Sequence, residues 1–199
     1  MFHSVGMKSI TRRFIRACLV ALLLPPLGVF SAEMTAFELI KEGNRYVGEQ
    51  CKDKVVQIRS EKSVGSLTPS IWYVVYYDPD ATFKATEVKF GAGQKLKVSR
   101  PARVIELAGH DKEILDGSRL KVDSDKAIEI AAAEPLLKPL TLKASQVWLQ
   151  HSAEGPVWKV RFWAAKLQKP SAMVDVGEVY ISTESSKVVR SNLHINRVD

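Results

Sequence analysis

Two stretches decide the fold: Trp72-Tyr73-Val74-Val75-Tyr76-Tyr77 and, 86 positions later, Trp158-Lys159-Val160-Arg161-Phe162-Trp163. Each begins with Trp, has Val two residues on, and has an aromatic residue two residues after that. A period of two residues is typical of a β-strand with one buried face. We therefore predict that each stretch is a strand, and that its Trp, Val and aromatic side chains pack against a helix.

Two further matches flank these strands and indicate an internal repeat. Ala36-Phe37-Glu38-Leu39-Ile40 recurs 91 positions later as Ala127-Ile128-Glu129-Ile130-Ala131. Glu87-Val88-Lys89-Phe90 recurs, also 91 positions later, as Glu178-Val179-Tyr180-Ile181. Three matches in the same order at nearly constant spacing favour a duplication, because chance similarity does not preserve order.

Each copy is predicted to begin with a helix. Thr35 and Glu38 have the spacing of a capping box, and Asp123 or Ser124 can cap the second helix. Turn residues then separate short strands, which favours antiparallel pairing. The predicted strands are Val55–Ser60, Ile71–Tyr77, Phe83–Phe90, Lys95–Ser99, Leu140–Lys143 leading into Val147–His151, Val157–Ala165, Met173–Ser182 and Lys187–Ser191.

These elements predict an α+β fold of two tandem units. Each unit consists of one helix packed on an antiparallel sheet of three to four strands. The first unit is expected at residues 32–100, an ordered connector at 101–122, and the second unit at 123–199. The connector contains apolar residues and is not rich in Gly and Ser, so we expect it to hold the units together.

Residues 1–31 have the pattern of a cleavable signal peptide. Four basic residues between Lys8 and Arg16 precede an apolar run from Ala17 to Phe30, and the small Ser31 follows. The run is too short for a membrane-spanning helix and contains Pro25 and Pro26. We therefore expect a periplasmic or extracellular protein with no membrane span after cleavage.

Cleavage changes both the charge and the cysteine count. Loss of four basic residues lowers the net charge from +7 to +3, and the remaining charges of both signs are mixed along the chain. This pattern disfavours nucleic-acid binding. Cleavage also removes Cys18, so that Cys51 is the remaining cysteine, either as a buried thiol or in an intermolecular disulfide.

The residues suggest no catalytic, cofactor or metal site. His110, His151 and His194 lack the spacing to Cys or carboxylate partners that zinc sites use. Gly91-Ala92-Gly93 leads into a predicted strand, whereas a phosphate-binding loop leads into a helix, so we interpret it as a hairpin turn. We expect a protein that is not an enzyme and has no cofactor.

Residues 121–191 resemble a PepSY domain. Asp125–Ala131 is similar to the opening helix of that family, Trp158–Phe162 to its middle strand, and Gly177–Ile181 with Lys187–Val189 to its closing hairpin. Residues 34–99 resemble it only through the repeat. The resemblance implies a PepSY-like or cystatin-like fold and a role in restraining a peptidase or binding a peptide. Since the chain contains no His-Glu-x-x-His motif, any such peptidase would be another protein.

The outward faces of the two central strands suggest a contact surface. Ile71, Tyr73, Val75 and Tyr77 share an apolar face, which either the sister unit or a partner must cover. We predict that Tyr73, Tyr77 and Trp163 bind a partner, because aromatic residues dominate interfaces. The leading hypothesis is an exported non-catalytic protein that binds or inhibits a peptidase or another extracytoplasmic protein, and the alternative is a small-ligand-binding protein.

Overall fold

The structure is a computed structural model, and it describes Met1 and residues 33–100, 114–153 and 155–199. The predicted signal peptide and most of the connector lie outside these residues. The described chain forms two α-helices and eight β-strands. They are α1 (Ala36–Gly43), β1 (Val55–Ser60), β2 (Ile71–Tyr77), β3 (Ala85–Gly91), β4 (Gln94–Ser99), α2 (Ser124–Ala132), β5 (Leu142–Ser152), β6 (Gly155–Ala165), β7 (Met173–Ser182) and β8 (Val188–Leu193).

Side-chain caps determine where both helices begin. The Thr35 hydroxyl accepts from the backbone N–H of Glu38, and the Glu38 carboxylate accepts from the backbone N–H of Thr35, which confirms the predicted capping box. Asp123 is the N-cap of α2, and its carboxylate accepts from the Ser124 N–H. These bonds satisfy backbone donors that have no partner inside a helix.

All eight strands belong to one antiparallel sheet, in the order β4-β3-β2-β1-β5-β6-β7-β8. Pairing of β1 with β5 joins the centre of the sheet, with Ile58 opposite Leu149 and Arg59 opposite Trp148. Three further strands therefore extend to each side of this central pair. The outermost strands are β4 and β8.

The predicted fold of two tandem helix-on-sheet units is wrong. The strands form a single eight-stranded sheet, and the helices are only eight and nine residues long. The prediction failed because β1 and β5 expose unpaired backbone groups at the inner edge of each set of four strands, and pairing them with each other satisfies those groups. Strand positions were predicted better, since the bounds of β1, β2 and β7 are those expected.

Serine side chains complete the pairing between β1 and β5. The Ser60 hydroxyl accepts from the Val147 N–H at 2.9 Å, and the Ser63 hydroxyl accepts from the Ser145 N–H at 2.8 Å. The Ser145 hydroxyl in turn donates to the Leu67 carbonyl. All three serines are buried. They supply hydrogen bonds where the regular ladder between these two strands ends.

One hydrophobic core lies between the helices and the sheet. Trp72 and Trp158 are buried in it, and their indole N–H groups donate to the carbonyls of Pro69 and Val122. The core side chains of the central strands and of both helices form one cluster, as the alternation in β2 and β6 predicted. Further members of the cluster include Ala36, Leu39, Val74, Tyr76, Ala127, Ile128, Ala131, Val160 and Phe162.

The N-termini of α1 and α2 are bonded to each other. Asp123 accepts from the Phe37 N–H at 3.2 Å in addition to capping α2, and the Ser124 hydroxyl accepts from the Ala36 N–H at 3.0 Å. The Phe37 ring also stacks on Trp158, with 6.2 Å between ring centroids. The two helices therefore start side by side, above the centre of the sheet.

Candidate functional site: the open face of the sheet

The side of the sheet opposite the helices is called here the open face. Its residues alternate along each strand with the core residues, and they include Tyr73 on β2, Trp148 on β5 and Lys159 on β6. These side chains are half-buried, in contrast to their neighbours in the core. Ile114 packs on this face at one end of the sheet, against Val56, Val75 and Ala85.

One row of residues crosses the open face from edge to edge, with one member from each strand. The pairing registers of all seven neighbouring strand pairs place these eight residues side by side. We call them the cross-strand row. In spatial order they are Lys97, Lys89, Tyr73, Arg59, Trp148, Lys159, Tyr180 and Arg190. From Lys89 onward, cations and aromatic rings alternate without interruption.

The cations of the row lie over its aromatic rings. The Arg59 guanidinium is 4.3 Å and the Lys89 ammonium 4.9 Å from the centroid of the Tyr73 ring. Lys159 lies 4.3 Å from the Trp148 centroid, and Arg190 lies 3.8 Å from that of Tyr180. Each distance is within the range of a cation–π interaction, so the rings are held in position before any partner binds.

Two carboxylates form ion pairs with Arg59 and Lys89, on the β1–β4 side of the row. Arg59 Nη2 lies 2.6 Å from Glu87 Oε2, and Lys89 Nζ lies 2.9 Å from Glu61 Oε1. The Tyr73 hydroxyl also donates to Glu61. Hydrogen bonds from Tyr73 and Lys89 lower the pKa of Glu61. The guanidinium of Arg59 is not aligned for a hydrogen bond to Glu87 Oε2, and its Nη1 has no hydrogen-bond partner among the described residues.

On the β5–β8 side, the carboxylate of Glu178 accepts hydrogen bonds from Arg161 and Tyr180. Glu178 Oε1 accepts from Arg161 Nε at 2.9 Å, and Glu178 Oε2 accepts from the Tyr180 hydroxyl at 2.7 Å. Burial raises the pKa of Glu178, but the hydrogen bonds from Tyr180 and Arg161 outweigh burial and lower it overall. Each oxygen of Glu178 thus accepts a hydrogen bond, one from Arg161 on β6 and the other from Tyr180 on β7.

Lys159 and Arg190 consequently form no ion pair with any carboxylate in the described part of the chain. Burial is the largest effect on the pKa of Lys159 and lowers it; the charge of Glu178 is the next largest and raises it, and the charges of Arg161 and Arg190 lower it. The two sides of the row therefore differ. Arg59 and Lys89 form ion pairs with carboxylates, whereas Lys159 and Arg190 form none among the described residues.

Two cavities lie near the β6–β8 side of the row. One of about 330 Å³ is lined by Tyr180, Arg190, Gln150 and Val157, together with Ser152, Ala153 and Val189. A smaller one of about 230 Å³ is strongly polar. Its lining residues are Arg161, Asp175, Gly177, Glu178, Asn192, His194 and Arg197.

The three predicted partner-binding residues all lie on the open face. Tyr73 is a member of the cross-strand row. Trp163 lies beyond Arg161 on β6, with the Lys62 ammonium 4.4 Å from its ring centroid. Tyr77 lies at the other end of β2, against the small cluster that contains Ile114. The structure does not bring the three together into one contact patch, and their role in binding stays a prediction.

Sequence reasoning missed Trp148 and Tyr180, which complete the row. The alternation of Val147, Trp148 and Leu149 was a usable signal, since it directs the Trp side chain away from the core. What the sequence did not reveal is that β5 pairs with β1, and only this pairing places Trp148 beside Arg59.

Groups suited to catalysis or metal binding are dispersed. Within residues 33–100, 114–153 and 155–199, no three His, Cys, Asp or Glu side chains are arranged to hold a metal ion. His151 and His194 are both exposed, and His110 lies outside the described residues. Cys51 is buried as a free thiol, and burial together with the nearby Asp78 raises its pKa.

None of the described helices is long and apolar enough to cross a membrane.

Comparison with known proteins identifies no relative: no family model matches this chain, and no curated protein or solved structure gives a match. The resemblance to PepSY domains therefore stays a prediction.

Proposed function

We propose that this chain is an exported, non-catalytic binding protein that binds another extracytoplasmic protein through the open face of its sheet. The observation that supports the proposal is the cross-strand row of alternating cations and aromatic rings. Tyr, Trp and Arg are the residues most enriched where protein interfaces gain their binding energy. Export is proposed from the pattern of residues 1–31.

The dimensions of the open face suit a protein partner. Eight strands with an average length of about eight residues span roughly 34 Å by 27 Å, or about 900 Å². A protein of standard interface size buries about 800 Å² on each partner. The cation–π contacts hold Tyr73, Trp148 and Tyr180 in place, so less side-chain entropy is lost on binding.

Site-specific photo-crosslinking in the exporting cell tests this proposal. A photoreactive phenylalanine replaces Tyr73 or Trp148 in separate experiments, and replaces the exposed Glu129 on α2 as the matched control. We expect a crosslinked protein from the two open-face positions only. The purified partner should then bind the Tyr73→Ala/Trp148→Ala variant at least tenfold more weakly. Equal crosslinking from Glu129, or unchanged affinity of the variant, would refute the proposal.

The identity of the partner is tested in the same experiment. If the crosslinked protein is a peptidase, its activity on a peptide substrate is measured with and without this chain. We expect inhibition that the Tyr73→Ala/Trp148→Ala variant relieves. A partner without peptidase activity leaves the binding proposal standing and excludes the peptidase role that the PepSY resemblance implies.

Small-ligand binding is a second candidate function, favoured by the cavity of about 330 Å³ beside Tyr180 and Arg190. That volume is at the lower limit of pockets that hold small ligands. A thermal-shift screen of metabolites distinguishes the two functions, because a ligand that binds the folded state raises Tm. Loss of the shift in Arg190→Gln would assign the ligand to this cavity.

A further inference from the structure

The cavity of about 330 Å³ lies on the open face, at the end of the sheet where the β5–β6 hairpin turns. Val157 forms its floor, because it is the buried member of the lining while the others are half-buried or exposed. The hairpin residues Ser152 and Ala153 line one side, and Tyr180 and Arg190 line the other. Four strands thus contribute to one concave site beside the cross-strand row.

The strand registers bring Val157, Tyr180 and Arg190 together. Val157 is paired with Ser182, so Tyr180, two residues earlier on β7, is its diagonal neighbour at about 7–8 Å. Tyr180 is paired with Arg190 on β8, and the Arg190 guanidinium lies 3.8 Å from the centroid of the Tyr180 ring. The cavity therefore has a cation near an apolar floor, with an aromatic ring between them.

Arg190 supplies the one formal charge among the described residues that line the cavity. It forms no ion pair with a carboxylate in the described part of the chain. Its planar guanidinium has five N–H donors, arranged so that two of them can bind both oxygens of a carboxylate. The contact with the Tyr180 ring holds it in place, so less side-chain entropy is lost on binding. Lys159 adds no second cation, because its ammonium lies over Trp148 and does not line the cavity.

Apart from Tyr180, the rest of the described lining is aliphatic or neutral and polar. These residues are Ala153, Val157, Val189, Gln150 and Ser152. Val189 directly precedes Arg190 in the chain, and 44% of its surface is exposed. An apolar group bound beside Arg190 would therefore remove apolar surface of Val189 from water, which favours binding.

The volume of the cavity limits the ligand to a small one. Water takes about 30 Å³ per molecule, so a cavity of about 330 Å³ has room for about ten non-hydrogen atoms. A carboxylate attached to a branched group of about four carbons is within that limit. A phosphomonoester suits the cavity less well, because it carries about two negative charges and Arg190 neutralises only one.

We infer that this cavity binds a small monocarboxylate, with the carboxylate at Arg190 and a short branched apolar group against Val157 and Val189. The inference rests on the small-ligand function proposed above and names its ligand class. Two sources share this chemistry. One is a free branched-chain carboxylic acid, and the other is the C-terminal residue of a peptide that ends in an aliphatic side chain.

Ligand titrations of the full exported chain, isotope-labelled and followed by nuclear magnetic resonance, test the ligand class. The probes are isovalerate, its neutral amide isovaleramide, and acetate. We expect saturable shifts of backbone amide resonances around the cavity with isovalerate. Isovaleramide should bind at least tenfold more weakly, and acetate at least fivefold more weakly. Equal binding of isovaleramide would refute recognition of the carboxylate, and equal binding of acetate would refute the apolar contact; either result overturns the inference.

A glycyl-glycyl-leucine tripeptide identifies the source of the carboxylate. Tighter binding of the tripeptide than of isovalerate assigns the cavity to a peptide C-terminus, and weaker binding assigns it to a free acid. The same tripeptide with an amidated C-terminus is the neutral control. Equal binding of the acid and amide forms of the tripeptide would count against the carboxylate site.

Variants locate the binding site. Arg190→Gln changes an exposed residue, should keep the wild-type circular dichroism spectrum, and is expected to weaken isovalerate binding at least tenfold. Val189→Ser should weaken it at least threefold. The matched control is Arg197→Gln, which removes an exposed arginine from the neighbouring polar cavity. An equal loss in Arg197→Gln would indicate non-specific attraction and refute the site.

The result can be separated from that of the small-ligand function itself. If the metabolite screen finds a ligand that has no carboxylate, and its Tm shift is lost in Arg190→Gln, the ligand class is refuted and the small-ligand function stands. If no metabolite, carboxylate or peptide probe binds, both are refuted.

Discussion

Single residues on the open face have unusual electrostatic surroundings for a surface position. Glu178 accepts hydrogen bonds from Tyr180 and Arg161, which hold its pKa below the ordinary value of 4.5. A carboxylate whose pKa is lower in the folded state stabilises the fold above its unfolded pKa. That stabilisation disappears as the pH falls through the folded pKa, because both states are then protonated.

We therefore predict a pH-dependent effect of Glu178→Gln. At pH 7 the variant should be less stable than wild type by about 1.5 kcal/mol, the order of a hydrogen bond to a charged group. The difference should narrow as the pH falls below 4.5 and through the lowered pKa of Glu178 in the folded state. Urea unfolding at several pH values measures it. Glu129→Gln, on the exposed surface of α2, is the control and should show no comparable change, and a pH-independent difference for Glu178→Gln would contradict the prediction.

How far the candidate site could be predicted depended on the range of the interactions. Tyr73, Tyr77 and Trp163 were placed on the correct side of the sheet because alternation along one strand is a local property. The contacts of Trp148 with Lys159 and of Arg59 with Glu87 depend on the register between strands, which a single sequence does not reveal.

At the scale of elements, the shared cap at Asp123 links the two helices. Its carboxylate accepts from the Ser124 N–H of α2 and from the Phe37 N–H of α1. The sequence predicted that Asp123 could cap α2. The second bond was not predictable, because residues 37 and 123 are far apart in the chain and meet only when both helices pack on the same sheet.

We predict that Asp123→Ala destabilises the protein by about 2 kcal/mol, about 1 kcal/mol for loss of the N-cap and about 1 kcal/mol for the unsatisfied Phe37 N–H. Chemical denaturation followed by circular dichroism measures the change. Asp125→Ala is the matched control, since Asp125 is an exposed acidic residue in the first turn of the same helix. Its effect should be below about 0.5 kcal/mol. Equal losses in both variants would argue against the shared cap.

For the whole molecule, the central pairing of β1 with β5 is decisive. Individual strands were predictable from alternation and turn residues, and the duplication of the element order was visible as a repeat. The pairing of β1 with β5, which joins the strands into one sheet, was not predictable. Ser60, Ser63 and Ser145 form hydrogen bonds between the two strands, but serine is also a common turn residue and does not indicate such a pairing. A period of two specifies a strand but not its neighbour.

A single sheet with a single core should unfold in one step. We predict one calorimetric transition for the described fold, with the calorimetric and van't Hoff enthalpies equal within error. Ser145→Ala should lower Tm, since it leaves the Leu67 carbonyl without its side-chain donor, but should not split the transition. Ser191→Ala, on exposed β8, is the control and should leave Tm nearly unchanged. Two resolved transitions would contradict the single-sheet account.

Joining β1 to β5 also leaves the described sheet with two outer strand edges, at β4 and β8. A free edge is a template on which another copy can add its own strand and start a fibril. Lys95 and Lys97 on β4 and Arg190 on β8 place like charges where a second copy would have to approach. We therefore expect the folded chain to resist amyloid growth even at high concentration.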